Sequence, residues 1–174
     1  MTKETHKFLC VNCGRCCHSL LSEDLGIIRG LTLLPNEVLE FEKEDVKPAV
    51  GQGLNPDDPD FQVIAYQLSK DDCPHLEGSF CMIYENRPIS CRQFPFSLES
   101  GKHGPILGVD MNCPSAKALV ESNKSFEFTE RKWAEKLFLV KMVVNMKPEL
   151  HWFYDLSTRK WFKYSKLKGS KNSF

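Results

Sequence analysis

A chain of 174 residues, 41% apolar and 26% charged, has the make-up of a soluble globular protein with room for one hydrophobic core. Its formal net charge is zero, so the average charge points to no polyanionic partner. The longest apolar stretch, Leu137 to Met146, is interrupted by Lys141 and falls far short of the roughly 20 residues that span a bilayer, which excludes a membrane helix.

The charge is unevenly distributed. Residues 1–128 hold 12 basic and 19 acidic side chains, whereas residues 129–174 hold 11 and 4. A basic C-terminal end can meet phosphate or an acidic protein, and an ordinary solvated face has the same signature. The opening Met1-Thr2-Lys3-Glu4-Thr5-His6 has no apolar segment of the signal-peptide kind, so a cytoplasmic location is expected. Structural disulfides are rare in a reducing cytosol, and eight cysteines then call for another explanation.

In chain order, residues 1–20 are too dense in Cys and Gly for regular structure. Leu33-Leu34 ahead of Pro35, with Val38, Leu39 and Phe41 interleaved among Glu37, Glu40 and Glu42, predicts a short amphipathic helix. Gly51–Asp60 is a polar loop, and Phe61–Leu68 alternates as a strand. Short strands are expected at Ser90–Leu98 and Ile106–Met111, with a turn at Gly101–Pro105 between them. Trp133, Leu137, Val140 and Val144 recur at helical spacing behind Thr129 as N-cap, and Pro148 closes that helix. The aromatic groups Trp152-Phe153-Tyr154 and Trp161, Phe162 and Tyr164 flank a turn at Asp155–Lys160, the pattern of a β-hairpin. The expected fold is α+β: a small irregular cysteine-rich metal-binding domain over residues 1–124, with a C-terminal helix and an aromatic, basic hairpin over residues 125–174 packed on it.

The cysteines fall into two sets. The first is C-x2-C-x2-C-C at Cys10, Cys13, Cys16 and Cys17. A two-residue gap lets one turn present two thiolates to one ion, and Gly14 suits the left-handed backbone of such a knuckle. Two successive gaps of this kind share the spacing of the bacterial ferredoxin run, whose fourth ligand is remote. Cys73-Pro74 and Cys113-Pro114 are candidates for that remote ligand. Adjacent side chains diverge, so Cys16 and Cys17 point to two centres sharing a wall or to one multinuclear cluster. The second set is Cys73, Cys81 and Cys91, spaced so that two short turns fold back on a common point. Arg87 and Arg92 are candidate cations beside the ligands, because four thiolates on a divalent metal or an oxidised four-iron cluster leave about two negative charges. His18 and His75 neighbour the cysteines and could substitute as ligands. Metal binding explains these spacings better than a disulfide framework, scattered core thiols or a lone catalytic cysteine.

On Cys10-x2-Cys13-x2-Cys16-Cys17, Cys73-Pro74-x-Leu76, Cys81-x-Ile83-Tyr84-x2-Arg87-Pro88-x2-Cys91-Arg92-x-Phe94-Pro95 and Cys113, the sequence resembles the CxxCxxCC proteins, zinc- or iron-chelating domains also described as cysteine cluster proteins. The resemblance spans residues 10–114 and implies that all eight cysteines serve the metal. One branch of that family resembles flagellin lysine N-methylase, a much longer enzyme, and no S-adenosylmethionine loop is recognisable here.

The expected function is therefore a cytoplasmic protein with an iron–sulfur cluster or zinc, acting in electron transfer or as a metal-dependent accessory. A binding module with a structural zinc is the alternative from another class. Its basic aromatic end (Trp161, Phe162, Lys163, Tyr164, Lys166 and Lys168) would contact RNA or protein. An enzyme that modifies protein or nucleic acid is the third.

Overall fold

The computed structural model describes residues 6–122, 124–127 and 129–169. The opening residues 1–5 and the side chain of Lys168 lie outside the described part. The chain divides into two compact units that interleave in sequence. One is drawn from the chain up to His18 and from His75–Val140; the other is drawn from Ser19–Pro74 and from Lys141 onward.

In chain order the elements are β1 (His6–Lys7), β2 (Ser22–Asp24), β3 (Ile27–Arg29), β4 (Thr32–Leu33), β5 (Val46–Gln52), β6 (Gln62–Leu68), β7 (Leu76–Glu77) and β8 (Phe80–Cys81). There follow α1 (Ile89–Gln93), β9 (Phe96–Gly101), β10 (Gly104–Val109), α2 (Pro114–Glu121), β11 (Phe126–Glu127), α3 (Arg131–Met146), β12 (His151–Asp155), β13 (Lys160–Lys163) and α4 (Tyr164–Gly169). Helices and largely antiparallel sheets in one chain make the fold α+β, as expected.

The unit built on residues 19–74 and the C-terminal part holds a five-stranded antiparallel sheet in the order β13-β12-β5-β6-β4. The expected hairpin is its edge, with Phe153 opposite Phe162 and Tyr154 opposite Trp161. Its strand β12 alternates buried and half-buried residues, which puts Phe153 into a core with Ile27, Ala49, Val50, Ala65, Val144 and Tyr164. Arg29 lies over the Phe153 ring, 4.4 Å from its centroid, and pairs with Asp24 at 3.2 Å.

Strand β5 is absent from the sequence expectation, and it displaces the start of the polar loop. Gly51 and Gln52 are strand residues paired with Val63 and Gln62. Pro48 obscures the strand in sequence because proline cannot donate to a ladder; here it stands where the register with β6 shifts, the position at which proline is tolerated. Gln67, fully buried, ties this irregularity together. Its amide donates to the carbonyls of Pro48 at 2.7 Å and Tyr154 at 3.1 Å, and its oxygen accepts the Gly30 N–H at 2.8 Å.

Gly30 is required by close approach, since a Cβ there would overlap the carbonyl oxygen of Leu68. Gly30→Ala is expected to cost about 3 kcal/mol by overpacking against backbone that cannot yield. Urea unfolding would show this as a lower midpoint at unchanged slope; an unchanged midpoint would disprove it.

The amphipathic helix expected after Pro35 is shortened to one 3-10 turn, Val38–Glu40. The Glu37 carboxylate accepts the Leu34 N–H at 2.7 Å and closes the turn locally, while Leu39 is 87% exposed. Of Val38, Leu39 and Phe41 only Phe41 is buried, and a single side chain is no face along which a helix propagates.

The other unit centres on Phe96, which meets Phe8 edge-on at 5.5 Å and stacks with Phe126 at 5.7 Å. Strands β9 and β10 form the expected hairpin around Lys102-His103. The strand expected over Ser90–Leu98 is correct only from Phe96. Ile89–Gln93 is the helix α1, because Pro88 begins it and both the Cys91 and Arg92 N–H groups donate to the Pro88 carbonyl at 2.9 Å. Helix α3 matches the 3.6-residue pattern, with Ala134, Leu137 and Val144 buried. It starts at Arg131 rather than from a Thr129 cap, and the Thr129 hydroxyl donates to the Glu130 carboxylate at 2.6 Å.

Candidate metal centre

Seven of the eight cysteines, Cys10, Cys13, Cys16, Cys17, Cys81, Cys91 and Cys113, belong to the unit that contains Phe96; Cys73 belongs to the other and is half-buried. No disulfide joins any of the eight.

The first run folds as a knuckle. Gly14 takes φ 71°, the left-handed conformation anticipated for it, and the 3-10 turn Arg15–Cys17 follows, with the Cys17 N–H on the Gly14 carbonyl at 2.9 Å. An added Cβ on Gly14 would lie 3.3 Å from Leu76 Cδ1 and 3.3 Å from the Ser79 Cα, so the knuckle rests on the turn between β7 and β8. That ribbon pairs Leu76 with Cys81 and receives the Met82 N–H on the His75 carbonyl at 2.9 Å. Cys16 is exposed and Cys17 is 8% exposed, so the adjacent thiols do face different surroundings.

Cys113 is brought to the same knuckle from 100 residues away in the chain. Arg15 donates to the Asn112 carbonyl at 3.4 Å across a separation of 97 residues. Cys113 is 6% exposed, and burial pushes its thiol up; the backbone N–H groups of Ala116 and Ser115 oppose this, and the neighbouring Cys13 and Cys10 add to it. Those N–H groups belong to the first turn of α2, a helix the sequence reading missed. The signal is present in the sequence: Cys113-Pro114 is a candidate ligand pattern, and proline at the first helical position with the preceding residue as N-cap is equally a helix start.

Cys91 sits in α1, and the loop leading to it is braced by the two expected arginines. Arg87 donates to the Tyr84 carbonyl at 2.7 Å and lies 3.6 Å from that ring's centroid. Arg92 donates to the Arg87 carbonyl at 2.7 Å and to the Glu85 carbonyl, and its guanidinium lies 4.9 Å from the centroid of Trp133. Their visible role is to hold the chain between Cys81 and Cys91. His18 is exposed and His75 half-buried. Among the described residues, no three His, Cys, Asp or Glu side chains stand close enough together to hold a metal ion as placed.

At the C-terminal end, Trp161 meets Phe61 and Tyr154 edge-on at 5.0 and 5.2 Å, and Phe162 packs against the sheet core. Lys163 lies over Trp152 at 5.3 Å and Lys166 is exposed. Among the described residues, no helix is long and apolar enough to cross a membrane.

An α+β chain with seven thiols in one unit is a cysteine-cluster protein. It belongs to the CxxCxxCC family, described as "Putative zinc- or iron-chelating domain", whose model matches residues 9–132. Comparison with curated proteins and with solved structures gave no match.

Proposed function

We propose that the chain binds an iron–sulfur cluster through the thiolates of this unit, with Cys10, Cys13 and Cys113 at its heart. Membership of a zinc- or iron-chelating family supports chelation itself. The observation that carries the reading is that Arg15, inside the first cysteine run, donates to the carbonyl of Asn112, the residue before Cys113, and so ties that run to a cysteine remote in sequence. That is the ferredoxin arrangement of a local run completed from afar.

The donor set fits such a group. It is thiol throughout, a soft set suited to iron–sulfur clusters or zinc and unsuited to magnesium or calcium. When bound, a cluster would supply one-electron chemistry. The chain's own part is to present the thiolates on the Gly14 knuckle and at the start of α2, and to place Arg87 ahead of α1 and Arg92 next to Cys91 within it. Cations there offset the negative charge of a thiolate-bound centre. The function proposed is electron transfer or service as a metal-dependent accessory.

Anaerobic purification, a visible spectrum and analysis for iron, sulfide and zinc provide the test. The expected result is a brown protein with visible charge-transfer absorbance and matched iron and sulfide. A colourless protein with stoichiometric zinc would keep chelation and overturn the cluster.

A further inference from the structure

The unit that holds the five-stranded sheet carries a cleft that thiol chemistry does not use. Its volume is about 630 Å³, within the size range of small-molecule sites. Leu21, Ile28 and Leu156 make an apolar wall, Tyr154 adds a ring, and Lys47 and Arg159 bring two cations.

Arg159 is the unusual member. Its φ is 56°, in the left-handed region where a side chain is disfavoured and where a hairpin turn ordinarily has glycine or asparagine. The turn nevertheless holds it there. The Arg159 N–H bonds the Asp155 carbonyl at 2.9 Å, and the buried Asp155 carboxylate accepts from the backbone and hydroxyl groups of both Ser157 and Thr158. Among the described residues the Arg159 guanidinium has neither a hydrogen bond nor an ion pair.

Among the described residues Lys47 has no carboxylate partner, and its ammonium donates to the Glu44 carbonyl. Acidic groups of the neighbouring segments are engaged elsewhere: Asp71 with the Leu21 N–H at 3.1 Å, Asp45 with Lys70 at 3.3 Å, and Asp155 within its own turn. Arg159 is exposed at the rim of the cleft, and a strained residue that persists there with no protein anion beside it among the described residues points to a binding role.

We infer that this cleft binds a small organic phosphate. The phosphoryl oxygens lie on Arg159 and Lys47, for which a dianion with several acceptor oxygens is the matching charge. The apolar or aromatic body lies against Tyr154, Leu156 and Ile28. A cleft of this volume with an apolar wall suits a small molecule better than a nucleic-acid strand, which needs an extended basic groove with stacking faces. The inference is independent of the metal.

The test uses the full chain and phenyl phosphate, with inorganic phosphate, phenol and a short single-stranded RNA as comparators. Backbone NMR shifts should saturate with phenyl phosphate at Lys47, Tyr154 and Arg159. Its affinity should exceed those of inorganic phosphate and phenol by about tenfold or more, and Arg159→Gln and Lys47→Gln should each weaken it by about tenfold. Arg159→Gly separates binding from structure: it should lose binding while the melting temperature stays level or rises, because the turn is relieved of strain. No saturable shift at these residues, or unaltered affinity in Arg159→Gln, would overturn the inference. So would RNA binding at these residues without binding of phenyl phosphate.

Discussion

Replacing Asp155 by alanine is expected to lower stability by about 3 kcal/mol or more. The carboxylate is 3% exposed and accepts hydrogen bonds from the Ile28 N–H at 2.9 Å, the Ser157 N–H at 3.1 Å, the Thr158 N–H at 3.2 Å and the Thr158 hydroxyl at 2.6 Å, with the Ser157 hydroxyl on both oxygens. It thereby fixes the hairpin turn and fastens β3 to β12. Truncation would leave several buried donors without an acceptor, which costs more than the hydrogen bonds themselves contribute. Burial alone would push this carboxyl up; hydrogen bonds from the Thr158 hydroxyl, the Ile28 N–H and Ser157 outweigh it and hold the group well below the usual carboxylate range.

The sign of the pH effect follows. A depressed folded pKa gives stability that is complete above the unfolded value of about 4 and is lost as pH falls through the folded value. Denaturant unfolding from neutral to acid pH should therefore show a smaller acid-induced loss in Asp155→Asn than in the parent chain. Equal acid sensitivity of the two proteins, or a neutral-pH difference for Asp155→Ala below about 0.5 kcal/mol, would contradict this account.

The second large effect concerns the proposed centre. Cys13→Ser and Cys113→Ser are each expected to weaken metal binding by more than about 100-fold, since changes to groups merely supporting a ligand already cost 10–100-fold. Because metal binding is coupled to folding, both should also lower the melting temperature of metal-loaded protein. Cys16→Ser and Cys17→Ser test whether both of the diverging thiols serve the metal. Metal content measured after anaerobic purification should fall in each; a full complement in either variant would remove that thiol from the centre and end the shared-wall reading. Arg92→Gln separates charge from scaffold. Loss of metal affinity without loss of apo-protein stability supports charge compensation, whereas equal stability loss in the apo protein assigns Arg92 to bracing the loop alone.

The elements legible in the sequence were those in which one periodicity covers a whole segment. Helix α3 follows from Trp133, Leu137, Val140 and Val144, β6 from the alternation after Phe61, and the terminal hairpin from two aromatic groups around a polar turn. Each buries one face, and burial of one face is what writes a period into sequence. Strand β5 carries no such period because it is a central strand with a proline at a register shift; only its neighbours and the Gln67 amide make it a strand. Helix α1 is set by Pro88, and the 3-10 turn at Val38–Glu40 by the Glu37 carboxylate, both local devices that pattern reading over longer windows passes over.

By itself the sequence determined the chemistry of the candidate centre: eight thiols, a knuckle that needs Gly14 left-handed, and arginines beside the later cysteines. Spacing within a turn is a local property, and local properties are written residue by residue. Only the tertiary structure decided how the thiols are distributed, with the segment ending in Cys113 tied to the Cys10–Cys17 knuckle through Arg15 and Cys73 assigned to the other unit. Only the tertiary structure, too, put Lys47 and Arg159 in one cleft. Contacts across about a hundred residues are selected by the burial of whole faces and the pairing of strands, and no short run of residues records them.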